Sequence, residues 1–330
     1  MLHPRRPIVA FLCLLATIGA CGHALAQADS YPSKPIKLVY SFSAGGPGDA
    51  ITRIVAEKAA LELGQAIVVE NRTGAGGIVG GQVVAQAEPD GYTVLMITGA
   101  NVFVLLTNPA SYNFTDSFAP VIGIGAVPLL LTVPTASSIH SIDDLATAAR
   151  STPNGLSYGS GGHGSVAHLV AASLAHALSI KATNVVYRGN GPAMQDLIAN
   201  RIEFFFASSV DSLEFIRGGQ IRALAVTSEA RLKELPDVPT MKELGFPDLK
   251  ASNWYGVLVP AKTPQPIIDK LYGAFSKAMA SAEVQERLRP MAYTTAVTTG
   301  PEFGQFIRDQ NARWKKVIEE NHIKGAGSSQ

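Results

Sequence analysis

Short apolar runs alternate with helical stretches along the chain, and each run has about the length of a β-strand. Runs at residues 36–40, 66–70 and 93–98 predict strands. The segments that separate them predict helices, from Ala50 to about residue 63 and from residue 78 to about 86. This β-α-β-α-β order is typical of the α/β class and predicts a mostly parallel sheet with helices on both faces.

A second set of units with the same alternation begins near residue 139. Its first helix is expected to begin at Ser141, where acidic side chains in the first turn suit the positive end of the helix dipole. The further helices are predicted at residues 166–178 and 192–199. The strands of this set are predicted at residues 156–158, 184–187, 204–206 and 223–226.

Two other apolar runs, at residues 129–133 and 254–260, predict strands that cross between the two sets. The chain would leave the first set near Val133 and return near Trp254. The prediction is therefore two α/β lobes joined by these crossing strands. Lobe 1 would contain residues 27–133 and 255–330, and lobe 2 residues 134–254. The C-terminal helices, predicted at residues 266–279, 282–288 and 301–320, would pack on lobe 1.

Composition supports two lobes and gives no indication of a polyanionic partner. The chain has 330 residues, of which 47% are hydrophobic and 16% charged, which suffices for a sizeable core. The formal net charge is +1, so neither nucleic acid nor an anionic membrane surface is indicated as a partner. A monomer is expected.

Residues 1–26 have the parts of a secretory signal: two arginines, an apolar run and a small-x-small site that ends at Ala26. Cleavage there would place the chain in the bacterial periplasm. It would also remove both cysteines, Cys13 and Cys21, and with them any disulfide. The alternative is lipoprotein processing, which would leave Cys21 as a lipid anchor. No later run is long and apolar enough for a transmembrane helix.

Two loops rich in glycine and serine, at residues 42–49 and 160–165, are the main candidates for a binding site. Each lies between a predicted strand and a predicted helix. The first N–H groups of a helix lack partners and attract anions, and glycine lets the backbone approach a ligand. Facing each other across a cleft, the two loops could hold both ends of a diacid as the lobes close. The alternative is that they only turn the chain.

A long motif connects the first loop to a family. The sequence ENRTGAGG at residues 70–77 continues through VA at 84–85 to PDGYT at 89–93. With the segments around residues 42–53, 158–169 and 187–193, it resembles the Bug family of periplasmic solute receptors, also described as tripartite tricarboxylate transporter receptors. The resemblance covers nearly all of the chain after the signal.

This resemblance implies a type II periplasmic-binding-protein fold, which has two α/β lobes with a ligand cleft between them. It also implies a small organic carboxylate as ligand and delivery to a membrane transporter. It implies no catalysis, cofactor or metal. A membrane sensor that receives the loaded protein is the alternative partner. The residues that follow as candidates for ligand binding are Phe42, Ser43, Ala44, Gly45, Gly46, Asp49, Ala100, Asn101, Ser160, Gly161, Gly162, Gly164, Ser165, His168, Arg188, Gly189, Ala207 and Ser208.

Not all of these are expected to touch the ligand. Asp49 is expected to cap a helix, because a carboxylate beside an anionic ligand is repulsive. His168 lies in a predicted helix, where packing or capping is the commoner role. Arg188 is the best charged candidate, with a structural ion pair as its alternative. Ala207 stands where the family often has an aspartate, so an amino-acid ligand becomes less expected.

Two further classes, a dinucleotide-binding protein and a hydrolase, are alternatives to the receptor. Gly159, Gly161 and Gly164 match the spacing of a dinucleotide-binding loop, but Arg188 occupies the place of the acidic residue that such a site uses. For a hydrolase there is no Gly-x-Ser-x-Gly motif, and only a Ser165–His168 pair offers a nucleophile with a base. The histidines show no metal-type clustering with carboxylates.

Overall fold

The computed structural model describes residues 31–108 and 110–320, so the predicted signal segment and Cys21 lie outside the described residues. The strands are β1 Ile36–Tyr40, β2 Ile67–Asn71, β3 Thr93–Thr98, β4 Phe118–Pro134, β5 Leu156–Ser160, β6 Ala182–Val186, β7 Phe204–Ser208, β8 Ile221–Val226, β9 Ser252–Pro260 and β10 Thr294–Thr299. The helices are α1 Pro47–Leu63, α2 Ile78–Ala85, α3 Gly99–Thr107, α4 Ile142–Ser151, α5 Val166–Ala177, α6 Asn190–Ile198, α7 Ser209–Arg217, α8 Gln265–Ala280, α9 Ala282–Leu288 and α10 Gly300–Glu320. Two short 3-10 helices span Ala75–Gly77 and Arg289–Met291.

Most of the predicted elements form close to their expected bounds, and two starts are corrected. Strand β4 begins at Phe118, well before the run predicted at residues 129–133, because its first part pairs with β9 and β10. Helix α1 begins at Pro47 rather than at Ala50, because extended Gly46 precedes it and proline is well suited to the first helical position. Asp49 therefore lies inside the first turn and does not precede the helix. The pattern did not predict α3, α7 or β10.

The sheet is parallel within each lobe and antiparallel where the lobes join. In lobe 1, β1 pairs in parallel with β2 and β3; in lobe 2, β5 pairs in parallel with β6 and β7. Strands β4 and β9 join these groups through antiparallel pairs, giving the order β2-β1-β3-β9-β4-β7-β5-β6. The prediction of a mostly parallel sheet is therefore wrong for the centre of the molecule, where the crossing strands make the sheet mixed.

Strand β4 is the main connection between the lobes. Up to Pro128 it pairs with β9 and β10, and from Leu129 onward it pairs with β7 and β8. The chain returns along β9, whose first residue, Ser252, lies opposite Pro128. The two α/β lobes are thus present, while the lobe boundaries at 133/134 and 254/255 stay a prediction.

The C-terminal helix packs on more of the molecule than the sequence indicated. Helix α10 has 21 residues and is about 30 Å long. It contacts α3 and β4, and it also reaches α5 in lobe 2. Trp314 is buried in this interface, with its ring 5.3 Å from that of Phe103. Helix α10 therefore packs on lobe 1, as expected, and its length lets it reach lobe 2 as well.

In the described ranges, no helix combines the length and the apolar character needed to cross a membrane.

Candidate functional site

Loop 1, residues 41–46, joins β1 to α1 and presents its backbone to solvent. Ser43, Ala44 and Gly45 are exposed. Gly45 has φ +84°, a conformation that favours glycine. Within the described part of the chain, the N–H groups of Ser43 and Ala44 have no acceptor. The loop therefore offers unpaired donors directly before a helix N-terminus, as the sequence predicted.

Asp49 supports loop 1 from beneath. Its Oδ2 accepts hydrogen bonds from the Gly45 N–H at 3.0 Å and from Arg53 Nε at 2.9 Å. Its Oδ1 accepts from Asn71 Nδ2 at 2.9 Å, and the same nitrogen donates to the carbonyl of Phe42. Burial opposes ionisation of Asp49, but these hydrogen bonds and the Arg53 charge lower the pKa of its carboxyl overall. A charged Asp49 thus fixes the loop geometry.

Two tyrosine hydroxyls lie against the first turn of α1. A Cβ at Gly48 would overlap the phenol of Tyr40 and would lie 3.2 Å from the hydroxyl of Tyr255. Burial raises the pKa of both phenols, so both remain protonated. Neither hydroxyl has a hydrogen-bond partner among residues 31–108 and 110–320. Glycine at position 48 lets the two O–H donors reach the start of the helix.

Loop 2, residues 160–165, joins β5 to α5 in lobe 2. The Gly164 N–H donates to Nδ1 of His168 at 3.1 Å, and the His168 N–H donates to the Ser165 hydroxyl at 3.4 Å. Ser165 is thus the N-cap of α5. The N–H groups of Val166 and Ala167 follow it and have no acceptor in the described structure. Loop 2 therefore repeats the arrangement of loop 1, as predicted.

His168 holds loop 2 and does not form a catalytic pair with Ser165. The hydroxyl of Ser165 accepts from the backbone of His168 and is not bonded to its ring, whose Nδ1 is occupied by Gly164. Burial, with a smaller contribution from His163, lowers the pKa of His168 to about 4. The imidazole is therefore neutral at pH 7 and acts as an acceptor for the loop. This geometry gives no support to the hydrolase alternative.

The segment after β6 is tied to loop 2 and carries the candidate arginine. The N–H groups of Tyr187 and Gly189 donate to the carbonyls of Ser160 and Gly161 at 2.8 and 3.2 Å. Arg188 lies between them and is exposed. In the ranges that the structure describes, it has neither an ion pair nor a hydrogen bond, so the structural ion pair considered as its alternative does not form.

Asn101 and Ala100 begin α3, on the lobe 1 side. Asn101 is fully buried; its Oδ1 accepts from the Thr98 N–H at 2.9 Å and its Nδ2 donates to the Gly77 carbonyl at 3.4 Å. The amide thus joins two segments of lobe 1 and is not free for a ligand. Helix α3 ends at Thr107, whose hydroxyl is 3.3 Å from the Cβ position of Gly164. This contact brings loop 2 against lobe 1.

Ala207 and Ser208 end β7 and are buried, with 0% and 6% of their surfaces exposed. One turn further, in α7, lies Asp211, which the sequence reasoning missed. Its Oδ2 accepts a hydrogen bond from Asn190 Nδ2 at 2.9 Å. The sequence contains a signal for this residue: an aspartate follows the fully buried strand β7, four positions after the place where the family often has an aspartate.

Among the described residues, six buried side-chain polar atoms have no hydrogen-bond partner, and three of them lie beside the loops or the start of α3. Ser41 Oγ precedes loop 1, Ser160 Oγ begins loop 2, and Trp254 Nε1 lies 3.0 Å from the Cβ position of Gly99, at the start of α3. Buried polar atoms normally have partners, and such exceptions are often found at functional sites. Their positions agree with a site between the two loops.

A separate cavity of about 1000 Å³ lies at the hinge, and we call it the hinge groove. It is bordered by β4, by the start of β9, by the segments 227–234 and 285–294, and by α10. None of the candidate ligand residues lines it. Its charged side chains have both signs, and several pair locally, as Arg289 does with Glu286 at 2.6 Å. Loops 1 and 2 are the better candidates for an anion because each lies at the N-terminus of a helix, α1 or α5.

Among the described residues, no three or more His, Cys, Asp or Glu side chains form a group that could hold a metal ion.

Comparison with known proteins identifies relatives along nearly the whole chain. The model of the family described as "Tripartite tricarboxylate transporter family receptor" matches residues 51–323. The UPF0065 protein in the tcbD-tcbE intergenic region of Pseudomonas sp. strain P51 is 36% identical over 321 residues, which are 97% of this chain and 95% of that protein.

Two similar solved structures contain dicarboxylates. MatC from Rhodopseudomonas palustris, with bound malate, is 28% identical with a TM-score of 0.77, and the match covers 87% of this chain and 100% of MatC. A second R. palustris protein, solved with adipate, is 29% identical with a TM-score of 0.81, over 90% of this chain and 100% of that one. These matches confirm the family resemblance and the two-lobed binding-protein fold that the sequence predicted.

Proposed function

Since the chain belongs to the tripartite tricarboxylate transporter receptor family, we propose that it is an exported receptor that closes over a small organic carboxylate and delivers it to a membrane transporter. The observation that carries this proposal is the pair of matching loops. Each joins a strand to a helix N-terminus and carries backbone N–H groups that have no acceptor within residues 31–108 and 110–320. Such groups bind anions without needing a charged side chain.

The binding mode follows from which lobe supplies each donor. Loop 1 and the hydroxyls of Tyr40 and Tyr255 would bind one carboxylate, and loop 2 with Ser165 would bind the other. Each lobe alone then makes only half of the contacts. A ligand with two acceptor ends favours the closed form because only that form satisfies both loops. Malate and adipate in the two related structures have two such ends.

The remaining parts of the proposal concern location and chemistry. The signal predicted at residues 1–26 would export the chain to the periplasm, where a monomer would carry its ligand to the transporter. Members of this family are periplasmic binding proteins. We assign no reaction to the site, because the one serine–histidine pair is used to cap α5 and hold loop 2.

Titration calorimetry on unfolded and refolded protein, which has lost any co-purified ligand, tests the proposal. The panel contains succinate, malate, adipate and benzoate, with succinamide as the uncharged control. We expect saturable binding of at least one carboxylate and none of succinamide. Equal binding of acid and amide, or no binding of any acid, would contradict the proposal.

Arg188 gives a side-chain test of the same site. Arg188→Ala should weaken carboxylate binding about fivefold, since a solvent-exposed charge contact contributes about 1 kcal/mol. The control is Arg217→Ala, which removes an exposed arginine from the last turn of α7. If the two variants bind equally well, Arg188 does not contact the ligand.

A further inference from the structure

Asp211 lies between the two candidate loops. Asn190 donates to its Oδ2 at 2.9 Å, and a Cβ at Gly161 of loop 2 would lie 2.5 Å from the Oδ1 of Asn190. On the other side, the charge of Asp211 acts on the phenol of Tyr255, which lies against Gly48 at the start of α1. The carboxylate is therefore linked to loop 2 through Asn190 and lies near the tyrosine that reaches the start of α1.

The environment of Asp211 leaves part of its carboxylate unsatisfied. Among the described residues the side chain has one hydrogen bond, from Asn190, and no ion pair. Burial raises the pKa of this carboxyl, with the Asn190 hydrogen bond acting against it. The residue is partly rather than fully buried, so Oδ1 remains accessible. A mostly buried carboxylate with a single neutral donor is unfavourable unless another donor reaches it.

We propose that Oδ1 of Asp211 accepts a hydrogen bond from a hydroxyl or ammonium group on the ligand, so that the site prefers a carboxylate with a donor substituent over the same acid without one. The inference rests on the proposed function, since it assigns Asp211 to the same cleft. The carboxylate ends of the ligand bind to the N–H groups of the loops, and the donor substituent between them faces Asp211.

Helix geometry explains how Asp211 can replace the acidic group that Ala207 lacks. Ala207 ends a strand and is fully buried, so it presents no polar atom to the cleft. Helix α7 begins two residues later, and Asp211 is in its first turn. Its carboxylate therefore lies near the end of β7, within reach of Asn190. An amino-acid ligand was expected to be disfavoured because position 207 has no aspartate. That expectation overlooks the carboxylate of Asp211.

Matched sets of acids test the inference in the refolded full mature chain. The sets are succinate, malate and aspartate; glutarate, 2-hydroxyglutarate and glutamate; propionate, lactate and alanine; and adipate with 2-aminoadipate. In the wild type we expect a donor-bearing acid to bind about ten- to hundred-fold more tightly than its unsubstituted partner, as is typical of a hydrogen bond to a charged group. The preferred member identifies the donor as hydroxyl or ammonium.

The variant Asp211→Asn keeps an oxygen that can accept from Asn190 but removes the charge. In this variant the ratio of the affinity for the donor-bearing acid to that for the unsubstituted acid should fall at least tenfold. The variant should still bind the unsubstituted acid. Glu214→Gln, an exposed neighbour one turn along α7, is the matched control and should keep the preference. An equal affinity for all members of a set, or an unchanged preference in Asp211→Asn, overturns this inference alone. Failure of every acid to bind the wild type overturns the proposed function and this inference together.

Discussion

At the scale of single residues, the charged and titratable side chains nearest the loops mostly support the backbone. Asp49 binds the Gly45 N–H in loop 1, and His168 accepts from the Gly164 N–H in loop 2. Each lobe thus uses one buried acceptor to fix a loop that glycine would otherwise leave flexible. The ligand is left to the N–H groups that these acceptors do not occupy.

The low pKa of His168 predicts a pH dependence of folding. Its pKa is about 4 in the folded protein and 6.5 when unperturbed, so the unfolded chain binds more protons between these values. The contribution of the neutral His168 imidazole to the free energy of unfolding is fully present above pH 6.5. It is lost as the pH falls toward 4. Between pH 7 and pH 5, His168 should reduce the free energy of unfolding by about 2 kcal/mol.

Urea denaturation of His168→Gln and of the wild type at pH 7 and pH 5 measures this change in the free energy of unfolding. Glutamine retains an acceptor for Gly164 but does not titrate, so the variant should lose less stability on acidification than the wild type. His176→Gln, in the exposed last turn of α5, is the control and should behave like the wild type. The account of His168 is wrong if all three proteins lose the same stability.

Residue roles were harder to predict from sequence than residue positions. Gly45, Ser165 and Arg188 could be assigned to strand–helix loops because glycine and serine follow apolar runs there. Asn101 was placed among the ligand contacts, yet its amide joins Thr98 to Gly77, a contact between segments far apart in sequence. Asp211 was missed because its proximity to Asn190 and Tyr255 depends on how α7 packs, which no local pattern reports.

At the scale of elements, the site depends on where α1 and α5 begin. Helices α4 and α5 each have a serine as N-cap. Ser165 caps α5 and lies in the predicted site, whereas Ser141 caps α4 and lies outside the predicted site. The Ser141 hydroxyl accepts from the Asp144 N–H at 3.0 Å, and the Ser165 hydroxyl accepts from the His168 N–H at 3.4 Å. A comparison of variants at Ser141 and Ser165 therefore distinguishes the effect of losing a helix cap from the effect of losing a ligand contact.

We expect Ser165→Ala and Ser141→Ala each to lower the free energy of unfolding by about 1 kcal/mol, as the loss of an N-cap usually does. Only Ser165→Ala should also weaken carboxylate binding, because its hydroxyl and the loop it orders belong to the site. Urea denaturation and calorimetric titration of both variants measure the two effects. Equal affinity in the two variants would mean that Ser165 is only a cap.

The elements that the sequence predicted well have a clear apolar period and clear boundaries. Strand β3 and helix α9 begin and end at the predicted residues. Helix α3 was missed because the segment GANVFVLLT has hardly any polar positions to reveal a helical period. Strand β10 is mostly exposed and rich in threonine, so it has no buried face to mark it; its pairing with β4 alone defines it.

At the scale of the whole molecule, the lobes are joined by β4, β9 and the covering helix α10. Trp254 lies in this joint, with its ring edge-on to Phe303 and Phe306 at 5.7 and 5.4 Å. It is 3% exposed, so its side chain is used in packing this joint. Two lobes with a packed hinge allow closure as a rigid-body movement about β4 and β9.

The central claim is that a carboxylate binds between loops 1 and 2, and hydrogen exchange of the backbone amides tests it most directly. The refolded protein is compared with and without a saturating concentration of the acid that binds most tightly. We predict slower exchange in both residues 42–49 and residues 160–168, because bound N–H groups and lobe closure both protect these amides. Protection confined to the hinge groove segments 227–234 and 285–294, or protection of one loop without the other, would contradict the account.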